Sequence, residues 1–234
     1  MSEAEPRPLL HFLGDSHLRA PRFAAEQGWF APWQTQFTLV GGATAIGLRH
    51  PTSQTQALEV YRAELVPHRS AVVPIFQLGE VDCGFVVWLR SQRYGESVDL
   101  QVEQSIEAYA RFLAELSSKG YRDILVTSAV LPTIRDGQLD GHVAHLRREV
   151  EATLLDRTAL TLRYNSRLEA VCAHQGLHFV DLSRDLIDPK TGVLSDAFRH
   201  PDPEDHHLNN DTGGKLWVRR IKDMLNELNS NWTR

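Results

Sequence analysis

A three-layer α/β/α sandwich on a five-stranded parallel sheet is the fold class this chain predicts. Three observations carry the expectation. Five short apolar runs end at glycine or polar residues; longer amphipathic segments separate them; and no proline- or glycine-rich linker divides the 234 residues. Strands that alternate with helices pair in parallel through right-handed crossovers, and a flavodoxin-like strand order is the expected one here. The whole chain, residues 1–234, is expected to form a single domain.

The strands are read in order. Leu9-Leu10-His11-Phe12-Leu13 runs into Gly14, and Phe37-Thr38-Leu39-Val40 into Gly41-Gly42. Residues 71–78 follow and end at Gly79, although Pro74 inside them lacks a ladder donor. Ile124–Ser128 and Leu177–Asp181 complete the set. Between them, residues 99–118 place Ile106, Tyr109, Leu113 and Leu116 on one helical face. Residues 141–174 predict one long helix or two, with Val143, Leu146, Val150 and Leu154 as its first apolar stripe and Gly176 as its stop. Residues 212–229 close the chain with Val218, Ile221, Leu225 and Leu228 on one face, and 16–27 and 54–65 are shorter helical segments. Residues 142–157, rich in Arg147, Arg148, Glu149, Glu151 and Asp156, read as an exposed helix laced with ion pairs.

Composition narrows the function classes. Hydrophobic residues make up 42% and charged residues 24%, the balance of an ordinary folded domain. A net charge of −5 argues against a general nucleic-acid binder, which needs a basic excess. No run approaches the ~20 apolar residues of a membrane span. The opening MSEAEPRPLLHFLGDSH carries Glu3 and Glu5 instead of a basic run, so no secretory signal is expected, and the expected compartment is the cytoplasm. Two cysteines, Cys83 and Cys172, are expected to be reduced thiols. Eleven histidines are more than average.

Ligands of such a sheet bind beyond the carboxyl ends of its strands. Four segments lie there: 14–17, 41–47, 79–84 and 127–136. The first holds Gly14-Asp15-Ser16-His17, where a serine at a helix start meets backbone N–H groups that favour developing negative charge; Asp15 or Ser16 could equally just cap that helix. The second holds Gly41-Gly42-Ala43-Thr44, glycines that let a backbone N–H approach an oxyanion or simply make a tight turn. The third holds Gly79-Glu80-Val81-Asp82-Cys83. The segment 195–210 adds His200-Pro201-Asp202-Pro203-Glu204-Asp205-His206-His207-Leu208-Asn209, in which a carboxylate and a histidine can form a base and its orienter. A metal site is the competing chemistry for that cluster, and a solvated loop is the plain one.

Together these blocks resemble the SGNH, or GDSL, family of hydrolases. The first block of that family carries the nucleophilic serine in Gly-Asp-Ser, matched by Ser16. The second gives a glycine N–H to the oxyanion hole, matched by Gly42, which joins the N–H of Ser16. The third reads Gly-x-Asn-Asp, and Gly79-Glu80-Val81-Asp82 occupies its place; the last reads Asp-x-x-His, and His207 occupies it. Two departures stand out. Val81 replaces the asparagine whose side chain donates to the oxyanion, a loss of about 100- to 1,000-fold where such a donor is removed. Glu204, not aspartate, lies three residues before His207; Glu204 and Asp205 both remain as orienters, Glu204 slightly favoured, and His206 is a fallback base. Gly79–Cys83, with Gly14-Asp15-Ser16-His17 and Gly42-Ala43-Thr44-Ala45, also resembles a bacterial subgroup near polysaccharide or glycan metabolism.

The resemblance implies a Ser16–His207–acid triad acting on a short acyl ester, such as acetyl on a sugar, with no cofactor and no metal. Asp15, His17 and Asp82 are candidate substrate contacts, solvent exposure being the alternative for His17. Trp29, Phe30, Trp33 and Trp88 could stack on a sugar or an acyl chain, or simply pack. A histidine base of ordinary pKa, near ~6.5, predicts activity rising through neutral pH. The partner is then a small-molecule or glycan ester, with neither nucleic acid nor membrane. A catalytically degenerate glycan-binding protein, an O-acyltransferase and a metal-dependent hydrolase are the alternatives.

Overall fold

The computed structural model describes residues 7–138, 141, 143, 144 and 147–232. Five strands, β1 (Leu9–Gly14), β2 (Thr35–Leu39), β3 (Val72–Gln77), β4 (Leu125–Thr127) and β5 (His178–Val180), form one sheet. Their order is β2-β1-β3-β4-β5 and every pairing is parallel. This is the flavodoxin-like order the sequence predicts. Pro74 pairs with His11 of β1, and the ladder to β4 begins only at Ile75, so the proline sits beside an unpaired stretch on that side.

The helices are α1 (Arg19–Glu26), α2 (Ala57–Leu65), α3 (Val87–Tyr94), α4 (Val98–Ser118), α5 (Leu154–Gln175), the single turn α6 (Ser183–Leu186) and α7 (Asn210–Trp232). Strand side chains alternate between two apolar layers, as period-two geometry requires. Leu13, Phe76 and Val126 enter a layer with Tyr61 of α2, Tyr109 and Phe112 of α4, and Tyr164 of α5. Leu10, Phe12, Ile75 and Leu125 enter the opposite layer with Ala20 and Ala24 of α1 and Trp217, Ile221 and Leu225 of α7. Each large side chain so buried stabilises by roughly 1.5–3 kcal/mol.

Of the two expectations for residues 141–174, one long helix or two, the single helix is excluded. Residues 141–174 do not form a continuous helix: α5 starts at Leu154, where Thr153 caps it and Asp156 returns the bond in a capping box. Gly176, in the left-handed region at φ 68°, ends it as expected. Among the described residues before α5, Val143 and Ala144 are helical, a short turn lies at Arg147–Glu149 and residues 150–153 are not helical; Leu146 of the proposed stripe lies outside the described residues. Arg147 is not on an exposed helix face: it is 8% exposed, drawn inward by a buried carboxylate described below. No helix among the described residues is long and apolar enough to cross a membrane.

Candidate active site

All five strands point their carboxyl ends to the same edge, and the polar blocks gather there. β1 ends at Gly14, where a Cβ would lie 2.1 Å from the carbonyl oxygen of Gln77, so the position has room only for glycine. The chain then turns sharply. Asp15 caps a short turn, Ser16–Leu18, by accepting the N–H of His17. Ser16 opens this turn and is half-buried. Val40 donates its N–H to the Gly14 carbonyl at 2.9 Å, so the Gly41-Gly42 turn leaves the sheet directly beside Asp15-Ser16. Gly42 is exposed and takes φ 71°, a conformation that favours glycine.

Asp82 has a different task from the one expected. Its carboxylate is fully buried and accepts the N–H groups of Ala45 at 2.8 Å and Ile46 at 3.0 Å and the hydroxyl of Ser105 at 2.7 Å. It fastens the loop after β2 to the loop after β3, and with its oxygens so engaged it is not a substrate contact. Burial pushes its carboxyl up, opposed by those hydrogen bonds.

Asp15 and His17 are buried as well, which removes the solvent-facing alternative for His17. Asp15 Oδ1 accepts from His17 Nδ1 at 3.0 Å. On the other side of the ring, Nε2 lies 3.7 Å from Glu80 Oε2. Glu80 is fully buried and takes two parallel bonds from Arg147, 2.7 and 2.8 Å long, the bidentate geometry that suits a guanidinium. Burial alone would push the Glu80 carboxyl up, but Arg147 and then His17 hold it far below the usual range. Burial likewise works against the His17 cation, but Glu80 and Asp15 outweigh it and hold the imidazole above its ordinary range.

The C-terminal block returns to this same place. The ring of His207 lies 5.1 Å from that of His17 and 4.0 Å from that of His206, between centroids. Asp205, not Glu204, meets His207: its Oδ1 accepts the His207 N–H at 2.9 Å and faces His207 Nδ1 at 2.5 Å. The reason is local. A tight turn about Asp205 closes its carboxylate onto the residue two positions on, while Glu204 is exposed and caps nothing in the site. Arg19 reaches Asp205 at 3.3 Å from the α1 side. Burial, then the neighbouring His17 charge, pushes the His207 imidazole down to about 4, against the pull of Asp205. His206 is pushed down to about 3 by burial and by both neighbouring histidines, and Thr133 bonds its carbonyl at 2.5 Å. His207 Nε2 is buried and has no hydrogen-bond partner among the described residues; it is the nitrogen that a base offers to a substrate-side proton.

Asp205, His206 and His207 bring ligand-type atoms within 4.8 Å of one another and are the group that could hold a metal among the described residues. Their donor set is poor for one, because Asp205 is already spent on His207 Nδ1 and on Arg19. Cys83 is a buried free thiol whose pKa burial pushes well up, which removes thiolate chemistry. The aromatic residues lie elsewhere: Phe30 is in the core, Trp29 packs on Phe23, Trp33 precedes β2 at the opposite edge of the sheet, and Trp88 bonds the Cys83 carbonyl.

No protein-family model matches this chain, and no curated protein matches it either. Solved structures do match in shape. A GDSL-like lipase from Bacteroides thetaiotaomicron superposes with a TM-score of 0.63 at 16% identity, over 97% of this chain and 93% of that one. An acetyl xylan esterase does so at 0.58 and 12%, over 92% and 98%. A phospholipase A1 from Streptomyces albidoflavus does so at 0.55 and 14%, over 94% and 100%. The fold is the one these hydrolases share.

Proposed function

We propose that this chain is a single-domain SGNH/GDSL-type serine esterase, acting on short acyl esters such as acetyl groups on carbohydrate. One observation carries the reading. His207, oriented through Nδ1 by Asp205 and free at Nε2, comes from the far end of the chain to stand beside the turn that Ser16 opens. The fold match to a GDSL-like lipase, an acetyl xylan esterase and a phospholipase supports ester chemistry, and the acetyl xylan esterase and the glycan-linked subgroup resemblance favour a carbohydrate acetyl ester.

In this mechanism the Ser16 Oγ attacks the ester carbonyl carbon while His207 Nε2 takes the hydroxyl proton. The N–H groups of Ser16 and Gly42 receive the oxyanion. Nε2 then returns the proton to the leaving alkoxide, and an acyl-Ser16 ester remains. Water attacks that ester with the same histidine as base, releasing acid and Ser16. Asp205 keeps the proton of the neutral ring on Nδ1 and stabilises the imidazolium that forms.

Ser16→Ala should abolish hydrolysis of p-nitrophenyl acetate and labelling by a fluorophosphonate probe; retention of wild-type rates sinks the proposal. Because His207 is pushed down to about 4, its free-base form persists well below the ordinary histidine range. The acid limb of kcat/KM is therefore expected near that value, not near ~6.5. A degenerate glycan-binding protein is the second reading, favoured by Val81 alone; an unlabelled serine in folded protein would support it. Product analysis with an acceptor alcohol separates hydrolysis from acyl transfer, and activity that dies with EDTA would point to a metal.

A further inference from the structure

We propose that His17 is a positioning residue of this site, a buried imidazolium clamped between Asp15 and Glu80 that sets a fixed positive charge beside the base His207. The inference deepens the esterase reading and rests on it. It begins with proton counting. A neutral imidazole has one N–H, but the two nitrogens of His17 each face a buried carboxylate, Asp15 Oδ1 at 3.0 Å and Glu80 Oε2 at 3.7 Å. Nδ1 is hydrogen-bonded to Asp15, while Nε2 lies outside hydrogen-bond reach of Glu80 but within ion-pair distance, so only the doubly protonated ring presents a charged N–H towards both carboxylates.

Charge balance points the same way. Asp15 and Glu80 are fully buried, and buried carboxylates need a counter-charge. Arg147 supplies one, on Glu80. Among the described residues the hydrogen bonds to the Asp15 carboxylate come only from His17, through its backbone and its ring. With His17 charged, Asp15, His17, Glu80 and Arg147 alternate in sign and sum to zero. The groups facing His17 from other elements are therefore Glu80 after β3, Arg147 before α5, and the rings of His206 and His207 from the C-terminal loop, 5.7 and 5.1 Å away.

The consequence falls on the proton in the reaction. Two imidazolium rings 5.1 Å apart repel. His17 therefore disfavours a protonated His207 in the resting enzyme and hastens the return of the proton to the leaving alcohol. Its charge also lies one residue from the nucleophile, in a site where Val81 has replaced the neutral donor of the third block.

The test is an NMR titration of 15N-histidine-labelled protein, wild type and His17→Gln, alongside the pH dependence of kcat/KM. In the wild type, the resonance that His17→Gln removes should remain that of an imidazolium at pH 7. In His17→Gln, the His207 titration and the acid limb should both move up by about one pH unit, roughly a tenfold loss of kcat/KM at the foot of the limb. A neutral His17 at pH 7, or a His207 titration unmoved in folded His17→Gln, overturns the inference. If His17→Gln does not fold, Glu80→Gln identifies the ring by the resonance it shifts, and the charge state of that ring at pH 7 decides. If no ester or probe reacts at any pH, the esterase reading fails, and the His207 titration still decides whether His17 acts on it.

Discussion

Two Asp-x-His turns meet at the carboxyl edge of the sheet, one just after the first strand and one just before the last helix. In both, a single aspartate oxygen takes the backbone N–H and the Nδ1 of the histidine two residues on: 2.8 and 3.0 Å for Asp15–His17, 2.9 and 2.5 Å for Asp205–His207. Local geometry is the same, yet the rings are driven in opposite directions, His17 above the ordinary range and His207 down to about 4. The difference lies beyond the far nitrogen. His17 Nε2 faces the carboxylate of Glu80, whereas His207 has the His17 ring as its neighbour and shares its aspartate with Arg19. The near aspartate sets which nitrogen carries a proton; the second neighbour sets whether the ring carries a charge.

The sharpest way to break the comparison is Asp205→Asn, which can keep the turn but removes the negative charge that faces Nδ1. It should lower kcat by about 10⁴-fold, the scale seen when a triad acid is neutralised, with little change in thermal midpoint. Steady-state hydrolysis checks it, and a loss below tenfold would take the orienting role from Asp205. Next in size is Glu80→Gln, which strands Arg147 in the interior; it should cost about 3–5 kcal/mol of unfolding free energy in a urea titration. The sign with pH is fixed by the lowered Glu80 carboxyl. Its contribution is present above the ordinary glutamate range and is lost as pH falls towards its own depressed value. Smallest is Glu204→Gln. This exposed side chain should shift stability by less than about 0.5 kcal/mol and leave kcat within roughly twofold; a large loss would return the orienting role to Glu204.

Much of this arrangement was legible in the chain. Short apolar runs stopping at Gly14 and Gly79 announce strands entering tight turns, and the five strand positions follow to within two residues. The Ser16 turn and the C-terminal histidine come together at the carboxyl edge of the sheet. Three things were hidden, each because it depends on contacts far apart in sequence. Arg147 reads as one of several charges on an exposed helix, but its partner is 67 residues away. Asp82 reads as a carboxylate at a strand end, but its acceptor sites are filled from residues 36 and 37 positions back. Asp205 and Glu204 differ only in the turn that carries them, and spacing alone favoured the wrong one. Glu80 offered the one usable signal: a carboxylate amid Gly79 and Val81, where a strand has just delivered it into the interior.

The packing of α1 against α7 also has a consequence for the order of events during synthesis. Arg19 and Asp205 stand 186 residues apart, so the Ser16 turn leaves the ribosome long before the Asp205–His207 turn exists. A nascent chain can lay down β1, β3 and the Asp82 fastening while the candidate site is still incomplete, and the two Asp-x-His turns meet only when the last helix docks.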